Sequence, residues 1–181
     1  MSVRRECSVK LISAILCSAA AAGVCAGAAG TASATDVHCD STAGGDVTIV
    51  DGRTACRAAA DSGHARAAGL DGVGYAKAAA GATALGVGAS GGIGASEGVS
   101  GLPVAIGLGP DAYALTSLGA TPGGDRVGIT VAMSGSRAQL DSHEHAVVCL
   151  GSAALAWDSL SGNGCLATPV GLWRTASSAL P

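Results

Sequence analysis

The sequence predicts an all-β fold, with a narrow roll of small residues at its centre and disulfide-stapled antiparallel strands on both sides. Two observations lead to this class. From Gly63 to Gly119, 15 of 57 residues are glycine and 14 are alanine. The flanking segments, 35–61 and 120–174, hold β-branched runs, turn signals and four cysteines. With so few bulky side chains, apolar burial per residue is low and the chain needs another source of stability.

An export signal is expected over residues 1–34. It opens with three basic residues, namely Arg4, Arg5 and Lys10. The apolar stretch that follows, 11–27, is short for a membrane span and rich in alanine and glycine. The small residues 32–34 predict cleavage of the signal after Ala34, and a second candidate cleavage site lies at Ala28. The mature chain is therefore expected to start near Thr35, to be secreted or held in the cell envelope, and to contain no transmembrane segment.

The mature chain, 35–181, has a length that suits one domain. It carries seven Lys and Arg against twelve Asp and Glu, a net charge of −5. A mildly acidic chain without basic runs is a poor candidate for binding nucleic acid or an anionic membrane surface.

The cysteine count becomes even once the signal is removed. Cys7, Cys17 and Cys25 leave with it, and four cysteines remain. An even number in an exported chain indicates disulfides, with three connectivities available. We favour the two local pairings, Cys39–Cys56 and Cys149–Cys165, because each brackets turn signals. Zinc binding is disfavoured because no two of these cysteines have Cys-x-x-Cys spacing.

The segment 35–61 predicts a hairpin. The β-branched run 46–50 is followed by Asp51-Gly52, a strong tight-turn signal, and then by a strand through Cys56. A short helical turn is expected at 58–60.

The segment 120–174 predicts antiparallel strands. In 127–133 the residues alternate, so Val127, Ile129, Val131 and Met133 share one face. Further strands are expected at 146–150 and 153–157, with an edge strand at 168–173 and a loose tail at 175–181.

The central segment, 62–119, has the pattern of stacked β-coils. Gly72-Val73-Gly74 returns as Gly86-Val87-Gly88 after 14 residues, which suggests a repeat of about that length. Small residues that face inward let two sheets approach more closely than the usual spacing of about 10 Å.

Two resemblances add to this reading. Val104-Ala105-Ile106-Gly107, and the small residues of 76–86, resemble the left-handed β-roll repeats in the heads of trimeric autotransporter adhesins, which implies a narrow β-roll and is not extended to adhesion or trimerisation. The whole chain, with its Ala/Gly-rich opening, four mature cysteines and Gly171-Leu172-Trp173, is similar to small secreted actinobacterial proteins of unassigned function. That similarity implies a compartment and supplies no activity.

Two sequence motifs suggest catalysis or cofactor binding. Gly88-Ala89-Ser90-Gly91-Gly92 fits the G-x-S-x-G pattern of hydrolases, which needs a strand-to-helix elbow around Ser90. Residues 86–91 also fit G-x-G-x-x-G, which needs a βαβ unit and an acidic partner. Because about one residue in four of this segment is glycine, both motifs are expected to match by chance. We expect a turn at Ser90, no catalytic residue and no cofactor.

Two further groups of residues are weak candidates for ligand sites. His143 and His145 project to the same side of an extended chain and form a candidate zinc or copper seat, although a solvated loop explains them equally well. Trp157 and Trp173 form a candidate platform for a lipid or glycan, although such rings more often anchor a small core.

Together these features favour a non-enzymatic, exported structural or interaction module. It would act through its surface, by self-association along strand edges or by contact with envelope components. The alternative is a protein that binds a small envelope lipid or glycan, and a hydrolase through Ser90 is a distant third.

Overall fold

The structure is a computed structural model that describes residues 35–119, 126–141, 144 and 146–175. The predicted signal, 1–34, lies outside these residues. The described part contains fifteen strands. It contains no helix, and therefore no helix that could cross a membrane. The strands are β1 (Asp36–Thr42), β2 (Gly45–Asp51), β3 (Thr54–Ala60), β4 (Gly63–Leu70), β5 (Val73–Ala78), β6 (Ala82–Ala89), β7 (Ile93–Gly98), β8 (Leu102–Leu108), β9 (Tyr113–Leu118), β10 (Val127–Met133), β11 (Arg137–Asp141), β12 (Ala146–Leu150), β13 (Ala154–Asp158), β14 (Gly164–Thr168) and β15 (Gly171–Arg174).

These strands form two sheets that face each other. The eight-stranded sheet has the order β1-β4-β6-β8-β10-β13-β14-β15, and the seven-stranded sheet has the order β12-β11-β9-β7-β5-β3-β2. The chain alternates between the sheets from β3 to β11, and each strand from β3 to β9 pairs in parallel with the strand two places later. This is a β-solenoid of about four turns, which confirms the predicted all-β roll.

The parallel stack is longer than the glycine-rich segment. It begins at β3 and continues through β10 and β11, which pair in parallel with β8 and β9. Antiparallel pairing closes the solenoid at both ends, through β1 and β2 at the start and through β12 to β15 at the finish. Within 120–174 the antiparallel strands therefore begin at β12.

The expected period of 14 residues is wrong. Val73 stacks on Ile93, 20 residues later, and Leu85 stacks on Val104, 19 residues later. The two Gly-Val-Gly segments lie on opposite sheets and face each other, since a β-carbon added at Gly88 would overlap the carbonyl of Val73. The predicted helical turn at 58–60 is also wrong, because those residues continue β3 in register with β5.

The interior between the sheets is built from alanine and glycine. Ala58, Ala76, Ala84, Ala105 and Ala114 are fully buried. In the middle of the stack the backbones meet so closely that a β-carbon at Gly86 would overlap the carbonyl oxygen of Tyr75 on the opposite sheet. Larger side chains therefore have room only near the ends and margins of the stack, as at Val37, Leu118 and Leu140.

Each end of the solenoid is closed by a disulfide that joins the two sheets. Cys39 on β1 bonds to Cys56 on β3, and Cys149 on β12 bonds to Cys165 on β14. All four cysteines are buried. Both predicted pairings are confirmed, and each holds the last strands of one sheet against the other.

The predicted hairpin at 46–56 is confirmed as β2 and β3. Gly52 lies in the turn at φ +58°, a left-handed backbone conformation that glycine adopts without strain. β1 does not join this hairpin, because it crosses to the other sheet and pairs with β4. The predicted edge strand near the C-terminus is confirmed as β15.

The narrow interior predicts effects of different size for the same substitution at two neighbouring alanines of β3. Ala58 faces inward and is fully buried, whereas Ala59 faces outward and is half-buried. Ala58→Val should lower the free energy of unfolding by about 1–3 kcal/mol, because two extra methyl groups have no space. Ala59→Val is the matched control and should change stability by less than about 0.5 kcal/mol. Urea denaturation measures both values, and equal effects would contradict a filled interior.

The two disulfides should stabilise the fold separately and by similar amounts. They close loops of 17 and 16 residues, for which chain entropy gives about 3 kcal/mol each. We expect Cys39→Ala/Cys56→Ala and Cys149→Ala/Cys165→Ala each to lose about that much stability in urea denaturation. The two losses should add, because the pairs lie at opposite ends. A strongly non-additive quadruple variant would contradict the independence of the two ends.

Candidate interaction surface

The outer face of the eight-stranded sheet is apolar from β6 to β15. Inward positions are taken by small residues, so the larger apolar side chains of these strands point outward. In register they form continuous rows, such as Val87, Ile106, Val131, Leu155, Leu166 and Trp173. We call this surface the apolar face; it consists of Leu85, Val87, Ala89, Leu102, Val104, Ile106, Leu108, Val127, Ile129, Val131, Met133, Leu155, Trp157, Leu166 and Trp173.

The apolar face ends where β6 meets β4. Arg66 on β4 stacks beside Leu85 and bonds to Asp40 on β1, with a distance of 2.7 Å between Nε and Oδ2. On the same outer surface, His38 lies 2.8 Å from Asp36. β1 and β4 therefore form a charged border beside the apolar face.

The outer face of the seven-stranded sheet has a different character. Lys77 pairs with Glu97 at 3.2 Å between neighbouring parallel strands, and Arg57 donates two hydrogen bonds to Asp46. These bonds hold the pKa of the Asp46 carboxyl below its usual value and raise that of Arg57. Exposed ion pairs of this kind contribute little to stability. This face is therefore mixed, because the ion pairs share it with apolar side chains such as Ile93, Leu115 and Leu150.

The C-terminal half of the apolar face contains two shallow depressions. One, of about 300 Å³, lies around Trp157, Leu166 and Trp173, with Arg174 and Thr175 at its margin. The other, of about 400 Å³, lies beside Met133 and ends at Pro169. Leu155 and Leu166 line both, so the two depressions are neighbours separated by this pair.

Trp157 and Trp173 are exposed, at 40% and 50% of their surface. The expectation that they anchor a core is therefore wrong, because the interior has no room for an indole ring and both rings lie on the outer face. Gly164 sits in register with Trp157 and has no side chain to fill the space beside it. The structure thus brings both tryptophans to the margin of one depression.

The strands that carry these rings are fixed by local polar bonds. The buried carboxylate of Asp158 accepts hydrogen bonds from the backbone of Leu160 and from the hydroxyl of Ser161, which shapes the turn before β14. The backbone N–H of Gly164 donates to Oγ1 of Thr175 at 2.6 Å. Thr175, the first residue of the predicted loose tail, is therefore anchored, and 176–181 lie outside the described residues.

Ser90 lies in the turn between β6 and β7, as expected, with φ of +52°. Its backbone N–H donates to the carbonyl of Leu70, which belongs to the previous coil. Strands flank it on both sides, so the strand-to-helix elbow and the βαβ unit that its two motifs require are both missing here. A serine nucleophile also needs a nearby base, but His64 lies near the start of β4 beside Thr83, whereas Ser90 follows the opposite end of β6.

The candidate metal ligands His143 and His145 lie outside the described residues. Within the described ranges, no group of three or more His, Cys, Asp or Glu side chains could hold a metal ion. Hydrogen bonds join some polar side chains inside the roll to one another or to the backbone. Thr116 donates to or accepts from Thr130 at 2.6 Å, and Ser96 donates to the carbonyl of Pro103 at 2.8 Å.

Comparison with known proteins gives one match. A family of unknown function (DUF6764) matches residues 3–168, which is most of the chain. The chain belongs to this family. No curated protein and no solved structure matches it. The β-solenoid agrees with the predicted resemblance to β-roll repeats, but no adhesin is among the matches.

Sequence reasoning did not identify the apolar face as a surface. The signal was present in runs such as Val104-Ala105-Ile106-Gly107-Leu108, where large and small apolar residues alternate. Alternation usually separates buried from hydrated positions. Here the small residues take the buried positions, and the large apolar side chains are left outside.

Proposed function

We propose that this chain is a non-enzymatic interaction module, secreted or held in the cell envelope, that docks through its apolar face. One observation carries the proposal: on six neighbouring strands of the eight-stranded sheet, the outward-facing side chains are apolar except for Thr83 and Thr168, and a charged border lies beside them. Large exposed apolar patches on soluble proteins commonly mark interaction sites.

Two features support export. The described cysteines form two disulfides, which persist in oxidising compartments outside the cytosol. The N-terminal residues have the charge, apolar stretch and small-residue ending of a secretory signal.

The surface chemistry supports a role without catalysis. Acid-base catalysis needs a titratable side chain within reach of a bound substrate. Among the described residues, the two depressions of the apolar face are lined by no His, Asp or Glu, and the cysteine there is in a disulfide. The ion pairs between neighbouring strands, such as Lys77 with Glu97, lie away from both depressions.

Site-specific photo-crosslinking in the cells that export the protein tests this function. Leu155 lies at the centre of the apolar face, and Leu115 is a half-buried leucine on the outer face of the other sheet. With p-benzoylphenylalanine in place of Leu155, we expect a discrete crosslinked product, because a docked partner covers that position. The same probe in place of Leu115 is the matched control and should give none. Absence of a product at Leu155, in protein that retains both disulfides, would contradict docking through this face.

A small apolar ligand is the second candidate function. The depression beside Trp157 and Trp173 favours it, and its apolar lining favours an acyl chain over a glycan, since sugar recognition needs several polar groups. The margin contributes Arg174, a suitable partner for a carboxylate.

Palmitate titration tests this second candidate. If an acyl chain binds between the rings, tryptophan emission should change saturably at micromolar palmitate and not with a soluble oligosaccharide. Arg174→Gln should weaken the effect by about 10-fold, because the carboxylate loses its cation. A linear, non-saturable response would contradict a defined site.

A further inference from the structure

We propose that the partner on the apolar face is a second copy of this chain, docked face to face about a two-fold axis. This inference rests on the proposed function, since it names the partner of the same surface. Three properties of the face favour this partner, namely its area, its relief and its charge.

The area suits a protein partner better than a small ligand. From β6 to β15 the face spans six strands, or five spacings of about 4.8 Å, and Leu102 to Leu108 spans six steps of about 3.3 Å, so the plan area is roughly 500 Å². Side chains standing on this plane present more accessible surface than the plane itself. Standard interfaces bury about 800 Å² per partner. An acyl chain in one depression would leave most of the face in water.

The relief of the face is self-complementary under a two-fold rotation. Its C-terminal half carries the exposed rings of Trp157 and Trp173, whereas its N-terminal half carries no aromatic ring and only shorter aliphatic side chains, such as Val87, Val104 and Leu102. In a two-fold interface each patch meets its own copy in reverse order. The rings of one copy then lie over the short side chains of the other, and aligned sheets pack in this way about 10 Å apart.

The charge around the face favours a copy over a membrane. The charged border, with Asp36, Asp40 and Arg66, lies at one end only, so two-fold docking leaves it at the hydrated rim of each copy. Peripheral membrane binding draws on basic residues near the lipid surface. The mature chain has a net charge of −5, and its basic border residue Arg66 is already paired with Asp40.

Sedimentation equilibrium of the exported, full-length mature protein tests the dimer. The wild type should show twice the chain mass at about 100 µM and dissociate on dilution. Leu155→Lys should weaken dimerisation by about 30-fold or more, because it buries a charge without a partner at the centre of the interface. Leu115→Lys, the same change on the opposite sheet, should leave the dimer intact. Trp173→Ala, on the last strand, provides a second weakening variant if Leu155→Lys does not fold.

The other possible results either overturn the dimer or assign the apolar face to a different partner. A wild type that stays monomeric at about 100 µM overturns the dimer, as does equal weakening by Leu115→Lys. A monomer that sediments with phosphatidylcholine vesicles would assign the face to a membrane instead. If the photo-crosslink at Leu155 contains a different protein, the proposed function stands and the dimer falls. If neither a crosslink nor a dimer is found, both are wrong.

Discussion

The distance between the two sheets governs the rest of this structure. In the middle of the solenoid the backbones lie so close that a hydrogen or a methyl group fills the space, as at Gly86 and Ala84. An interior of this kind buries little apolar surface per residue. Stability has to come from the continuous hydrogen-bond ladders of the parallel strands and from the two disulfides that hold the ends together.

The same constraint explains the surface. The chain is 49% hydrophobic, yet its interior accepts mainly alanine and glycine. In the eight-stranded sheet, the larger apolar residues from β6 across to β15 therefore point outward, including Ile106 and Trp157. A conventional sandwich buries such side chains between its sheets. Here they form an outer layer that is available to a partner, and the placement of the candidate site follows directly from the thinness of the fold.

The sequence predicts the class of fold well because small residues at every second position have few other structural uses. The sequence predicts the length of the repeat poorly for a related reason. Small residues recur so often that a shift of 14 aligns them as well as the shifts of 18 and 20 residues that separate the stacked positions Ala55, Val73 and Ile93. The length of each coil depends on the turns, whose composition carries little information. The sequence leaves open whether the tryptophans bind a ligand or pack in a core, because alternation does not show which face of a strand is the outer one.

The cross-links have a consequence for the length of the molecule. Each disulfide joins residues 16 or 17 positions apart, Cys39 to Cys56 and Cys149 to Cys165, so neither spans the coils between them. A coil contacts only the coils next to it. Insertion or loss of one complete coil would leave the disulfides at both ends unchanged. The length of the solenoid is therefore set by the number of coils in its middle, while its two ends stay the same.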